Sequence, residues 1–130
     1  MSYDSIYSMK PNREYDQNII NALKALPKPL KTFDGHDVVF DINKRDETIF
    51  EHIANKKHHF HVVDINVIPC ILRDEMSLKT DRNGKRFRTY IGLRGKSKEK
   101  SKYLKIVTLV GKKKKESIYS VYLVKSVDNK

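Results

Sequence analysis

Arg86-Phe-Arg-Thr-Tyr-Ile-Gly-Leu-Arg94, Tyr103-Leu-Lys-Ile-Val-Thr-Leu-Val110 and Ser117-Ile-Tyr-Ser-Val-Tyr-Leu-Val-Lys125 decide the fold class. Each alternates with a period of two and is rich in β-branched and aromatic residues, the signature of a strand with two unlike faces. The links Gly95–Lys102 and Gly111–Glu116 are polar and carry Gly, Lys and Ser, as surface loops do. Upstream, Ser77–Thr80 starts a further strand, and Asn83-Gly84 is a hairpin signal because both positions tolerate positive φ. Consecutive strands with short links predict an antiparallel meander of about four strands.

Before Ser77 the period is helical. Ile19, Ile20, Leu23 and Leu26 place a helix over 13–26, stopped by Pro27 and Pro29. A second helix fits Glu47–Lys57, with Asp46 as its cap and Ile49, Phe50, Ile53 and Ala54 as its buried stripe. A third, short helix fits Val67–Arg73, with Asn66 as cap and Pro69 in the first turn, where a missing N–H does little harm. Asp37–Ile42, after Gly35, reads as a short strand. Helices first and strands afterwards predict an α+β fold, with N-terminal helices packed on one face of the sheet. A chain of 130 residues has room for one such domain, expected over 13–127 after a loose segment 1–12.

Side chains alternate between the two faces of a strand. Phe87, Ile91, Leu93, Leu104, Ile106, Val110, Tyr119, Val121 and Leu123 then form the face that meets the helices. Arg86, Arg88, Tyr90, Tyr103, Lys105, Val107, Ser120 and Tyr122 form the other. Cations bind phosphate, and tyrosines stack on bases or donate a proton. The solvent face of an ordinary antiparallel sheet also carries Thr, Tyr, Lys and Arg, so the pattern alone does not separate the two readings.

Charge separates them further. Lys plus Arg is 27 and Asp plus Glu is 16, a net of +11. Residues 1–65 hold 9 basic and 10 acidic side chains, net −1; residues 66–130 hold 18 and 6, net +12. Such a one-sided field attracts polyanions, most simply nucleic acid. No stretch approaches the roughly 18 apolar residues of a membrane span, and Met1–Lys10 lacks the basic-then-apolar pattern of a signal peptide. Cys70 is alone, so no internal disulfide forms. A cytoplasmic protein without a membrane partner is expected.

His36, His52, His58, His59 and His61 crowd into 26 residues. Their spacing matches no strong metal-ligand pattern, so no metal is expected; an acid–base role suits an imidazole better. There is no phosphate-binding GxxxxGK loop, no GxGxxG after a strand, and no paired carboxylates for two-metal chemistry. Cys70 lies in the apolar run Val67–Leu72 and reads as a packing residue.

From about Gly35 to Val127 the order of segments resembles the barnase–EndoU–colicin–RelE-like nuclease superfamily, most of all its phage-associated branch. Asp37-Val-Val-Phe40 resembles the entry strand, and Thr48-Ile-Phe-Glu-His-Ile53 with His58/His59 resembles the branch's histidine-bearing helix. Val67-Ile-Pro-Cys-Ile-Leu72 resembles its short helix, and Tyr103–Val107 and Ser117–Tyr122 its last two strands. Arg73-Asp74-Glu75-Met76 departs from the Pro-Asp usual there, and the first helix is not covered.

The resemblance implies a metal-independent endoribonuclease of toxin or phage-effector type, without cofactor, acting by 2′-hydroxyl transesterification. Carried onto this chain, His52, Arg88, Lys105, Ser120 and Tyr122 are the catalytic candidates. Arg86, Tyr90, Arg94 and Tyr103 are the candidate nucleic-acid contacts. The implied partners are RNA, single-stranded or tRNA-like, and an acidic antitoxin or immunity protein, in a bacterial or phage-infected cytoplasm. Two other readings of the same charge stand beside it: a non-catalytic RNA- or ribosome-binding protein, and a phage-type inhibitor that grips an acidic host protein.

Overall fold

A computed structural model describes residues 14–40, 48–80, 86–95 and 102–127. Helix α1 (Gln17–Ala25) starts where the Asp16 side chain accepts from the Asn18 N–H at 2.9 Å. It buries Ile19 and Leu23, one turn apart. Pro27 and Pro29 follow its end. Strands β1 (Leu30–Lys31) and β2 (Asp37–Phe40) pair antiparallel, Leu30 opposite Val38. Their connection turns at Gly35, whose φ of 85° suits glycine.

Helix α2 (Ile49–Ala54) is capped by Thr48, not by Asp46, which lies outside the described residues. Thr48 Oγ1 accepts from Glu51 N at 3.1 Å while Glu51 Oε1 accepts from Thr48 N at 3.0 Å, a reciprocal box. A 3-10 turn, Lys56–His58, replaces the expected last helical turn. Helices α3 (Val62–Asn66) and α4 (Ile68–Arg73) follow; α3 was not foreseen, and α4 keeps Pro69 in its first turn as expected. A 3-10 turn, Glu75–Ser77, leads into the sheet.

Strands β3 (Leu78–Thr80), β4 (Phe87–Leu93), β5 (Tyr103–Val110) and β6 (Lys115–Val124) form the predicted antiparallel meander. The sheet is larger and mixed: its order is β1-β2-β6-β5-β4-β3, with β2 parallel to β6. The expectation of about four antiparallel strands is corrected to six, because the short segment Asp37–Phe40 finds its pairing partner some 80 residues later in sequence. Asn83-Gly84 and the segment 1–12 lie outside the described residues.

One core cluster joins the helices to the sheet, including Ile19, Leu23, Ile49, Ile53, Ile65, Ile68 and Leu72 with Tyr90, Leu104, Ile106, Ile118 and Val121. Gly92 lets α4 approach β4: a Cβ there would lie 2.6 Å from Ile71 Cγ1.

The phase of β4 is the main correction. Arg88 opposes Thr108, and Tyr90 opposes Ile106. Arg88 and Tyr90 therefore share the core side with Leu104 and Ile106, and Phe87, Ile91 and Leu93 lie on the other face. Tyr119 is also corrected. The β5–β6 register shifts between Val107 and Thr108, so Tyr119 is the extra residue of a bulge and packs its ring against Phe87.

Candidate functional site

The cluster that buries Arg88 is built from three strands and one loop. Thr32–His36, linking β1 to β2, is folded on itself: Thr32 Oγ1 accepts from His36 N at 2.9 Å, and Gly35 N donates to Thr32 O at 3.1 Å. Phe33 N donates to Leu72 O at 3.0 Å, which moors this loop to α4. Asp34 and His36 are thereby set against the start of β6, where Glu116 points inward.

The Glu116 carboxylate is fully buried. Its Oε1 accepts from Tyr90 Oη at 2.8 Å and from Thr108 Oγ1 at 2.7 Å. Its Oε2 accepts from Arg88 Nη1 at 2.6 Å and lies 2.7 Å from His36 Nδ1. A buried carboxylate is tolerable only with such a complete set of donors. Arg88 Nη2 reaches Asp34 Oδ2 at 3.1 Å, and its guanidinium carbon sits 5.4 Å from both the Phe33 and the Tyr90 ring centroids. These two rings flank the cation on apolar surface.

The charge states follow. Burial opposes the charged form of Arg88, but Glu116, then Tyr90 and Asp34, outweigh it and raise its pKa. Burial, with the charge and hydrogen bond of Glu116, pushes the Tyr90 phenol well up, so it remains a donor. Burial also acts against the Asp34 carboxylate; hydrogen bonds from Thr32 and Arg88 and the charges of Arg88 and His36 win, and its pKa is lowered. Asp34 is thus ionised at neutral pH.

Two members of the cluster reach the surface. The side chain of His36 is 20% exposed and that of Asp34 37%. His36 Nε2 lies 3.7 Å from Asp34 Oδ2. With Nδ1–H donated to Glu116, Nε2 is the ring atom placed for proton exchange. A carboxylate and an imidazole side by side, backed by a fixed cation, can take one proton and deliver another.

One ligand atom from each of Asp34, His36 and Glu116 falls within 4.8 Å of the others, a spacing that suits a metal ion. The Arg88 guanidinium already fills that centre: Nη1 is 2.6 Å from Glu116, 3.2 Å from His36 Nδ1 and 3.4 Å from Asp34 Oδ1. A divalent ion would have to displace a buried cation, so these residues fit Arg88 better than they fit a metal.

The other sequence candidates are dispersed. His52 is on α2, its ring 5.2 Å from that of His58; the imidazole set against Arg88 is His36. Arg94 is buried, with Nε and Nη2 donating to Asp64 at 2.8 and 2.7 Å, so it ties the end of β4 to α3 rather than facing a ligand. Arg86 is exposed ahead of β4. Lys105, Ser120, Tyr122 and Tyr103 lie together on the face away from the core, as expected: Lys105 opposes Tyr122, and Ser120 opposes Val107. Ser120 is nonetheless buried among its neighbours.

Asp34 and Glu116 escaped the sequence reading, and His36 was named among the five histidines but not singled out from them. The one usable signal was Glu116, a single acid directly after four lysines, which belongs to β6 rather than to the preceding loop. No protein-family model, curated protein or solved structure is significantly similar to this chain.

Proposed function

We propose that the protein is a metal-independent ribonuclease, with His36 and Asp34 as its proton-transfer pair. One observation carries this reading: a partly exposed imidazole and an ionised carboxylate, 3.7 Å apart, are held by a buried Arg88–Glu116 pair in a chain whose C-terminal half is net +12.

In the proposed reaction the RNA 2′-oxygen attacks its own phosphate. Asp34 accepts the 2′-hydroxyl proton, and the P–O5′ bond breaks. The protonated form of His36 gives its proton to O5′. The products are a 2′,3′-cyclic phosphate and a 5′-hydroxyl, so atoms and charge balance without a co-reactant. Glu116 keeps the His36 ring oriented, Arg88 fixes Asp34 beside it, and the cationic C-terminal half draws the phosphate in. Lys105 and Tyr122, on the opposite face, serve to hold the chain rather than to cut it.

The second reading has its own support. All four side-chain contacts of Glu116 described above are with donors of the protein itself, which is also what a purely structural tie requires. In that case the protein binds RNA and leaves it whole. Incubation with total RNA in EDTA, for the parent and His36→Gln, separates the two: parent-only cleavage to cyclic-phosphate ends supports the ribonuclease, and intact RNA in both supports binding alone.

A further inference from the structure

Phe87, Lys105, Tyr119 and Tyr122 lie on the face of β4–β6 opposite the core, and none belongs to the core cluster. The Phe87 and Tyr119 rings meet edge to face, centroids 5.5 Å apart. Lys105 Nζ stands 5.9 Å from the Tyr122 ring centroid, on the next strand. Tyr119 is 42% exposed and Tyr122 48%. Tyrosine is an ordinary occupant of such a face, but these rings are open enough for a planar group to stack on them, and their surroundings say which kind.

The layout suits one kind of ligand. Between the two aromatic positions runs a row of small side chains, Thr89 opposite Val107 and Val107 opposite Ser120. Both ends of the β5–β6 hairpin are cationic, with exposed Lys102 and Lys125 at one end and exposed Lys112–Lys115 at the other. Two rings flanked by cations match a strand of unpaired bases with its phosphates. In a duplex the bases are already stacked on each other and offer no free π-face.

Resting on the reading that RNA is the partner, but not on cleavage, we infer that this face is a stacking platform for single-stranded RNA, with Tyr119 and Tyr122 as the base-stacking residues. Lys105 and the hairpin-end lysines neutralise phosphates. The bulge is then a positioning device: Tyr119 and Tyr122 are three residues apart and would point to opposite faces of a regular strand, and the register shift puts both on this one.

The test uses a fluorescein-labelled 12-nucleotide strand of 2′-O-methyl RNA, which has no 2′-hydroxyl to attack, so binding is read without cutting. Anisotropy is measured for this strand, for the same strand in a duplex, and for polyglutamate as competitor, with parent, Tyr119→Ala, Tyr122→Ala and Tyr122→Phe. The single strand should bind at least about tenfold more tightly than the duplex at equal salt. Each alanine variant should lose about 5- to 150-fold on the single strand, the span of a lost base stack, with duplex binding unchanged; Tyr122→Phe should keep most of the affinity. Equal affinity for duplex, unchanged binding of the alanine variants, or displacement by polyglutamate as effective as by RNA would each overturn the platform. Cleavage that fails while single-strand binding behaves as described defeats the ribonuclease and leaves the platform standing.

Discussion

Glu116→Gln removes one charge from the buried cluster and changes almost no volume, so it isolates the electrostatic role of that residue. In the parent the carboxylate balances Arg88 and accepts from four donors. The amide can still exchange hydrogen bonds with the hydroxyls of Tyr90 and Thr108, but it leaves Arg88 without its buried counter-ion. Breaking a buried pair from one side costs about 3–5 kcal/mol. Asp34 still meets Arg88 Nη2 at 3.1 Å, which places the expected loss at the lower end, about 3 kcal/mol. In a chain of 130 residues each kcal/mol moves Tm by about 3–4 °C, so Tm should fall by roughly 10 °C. Urea denaturation of the parent, Glu116→Gln, Arg88→Met and the double variant gives the coupling. The double variant should be more stable than the sum of the single losses implies, by about 1.5–3 kcal/mol. A single-variant loss under about 1 kcal/mol, with no coupling, would refute the reasoning that Arg88 and Glu116 form one buried unit.

Gly92→Ala should cost about 1–3 kcal/mol in urea denaturation, because the new methyl meets Ile71 Cγ1 at 2.6 Å; a neutral result would mean that α4 does not press on β4 at that point. The lowered pKa of Asp34 sets a pH dependence with a definite sign. Its ion-pair stabilisation is present above its unfolded pKa, near the ordinary aspartate value of about 3.9, and is lost as pH falls through the lower folded value. Asp34→Asn should therefore flatten the acid limb of the stability–pH curve below about pH 4, and two superimposable limbs would remove Asp34 from the network.

Legibility in the sequence followed locality. The alternation of Tyr103–Val110 gave both the limits and the facing of β5, because its fully buried positions, Leu104, Ile106 and Thr108, all take the same side. The same rule failed for β4, where Arg88 and Tyr90 occupy core-side positions normally held by aliphatic residues. Their burial depends on Glu116, distant in sequence and brought near by β-pairing, and a period-two pattern carries no trace of such a partner. The β6 bulge left only a faint mark in Ser117–Lys125: the core-side residues Ile118 and Val121 stand three apart, an odd spacing that breaks the alternation, and the pairing with β5 identifies Tyr119 as the extra residue. The parallel contact of β2 with β6 joins residues far apart in the chain. At the candidate site, Arg88 was visible as a cation on a strand. His36 was one of five histidines, and what distinguishes it is a 2.7 Å contact with a carboxylate 80 residues away.

The most direct test of the central claim is the 5′-labelled product of a short single-stranded RNA incubated with the purified protein in EDTA, for the parent and for His36→Gln, each checked by its melting curve. Fragments ending in 2′,3′-cyclic phosphate are expected from the parent, and a rate lower by about 10²–10⁴-fold in the variant, the contribution of one proton-transfer residue. Intact RNA with the parent protein, or cleavage that proceeds equally fast without His36, would contradict it.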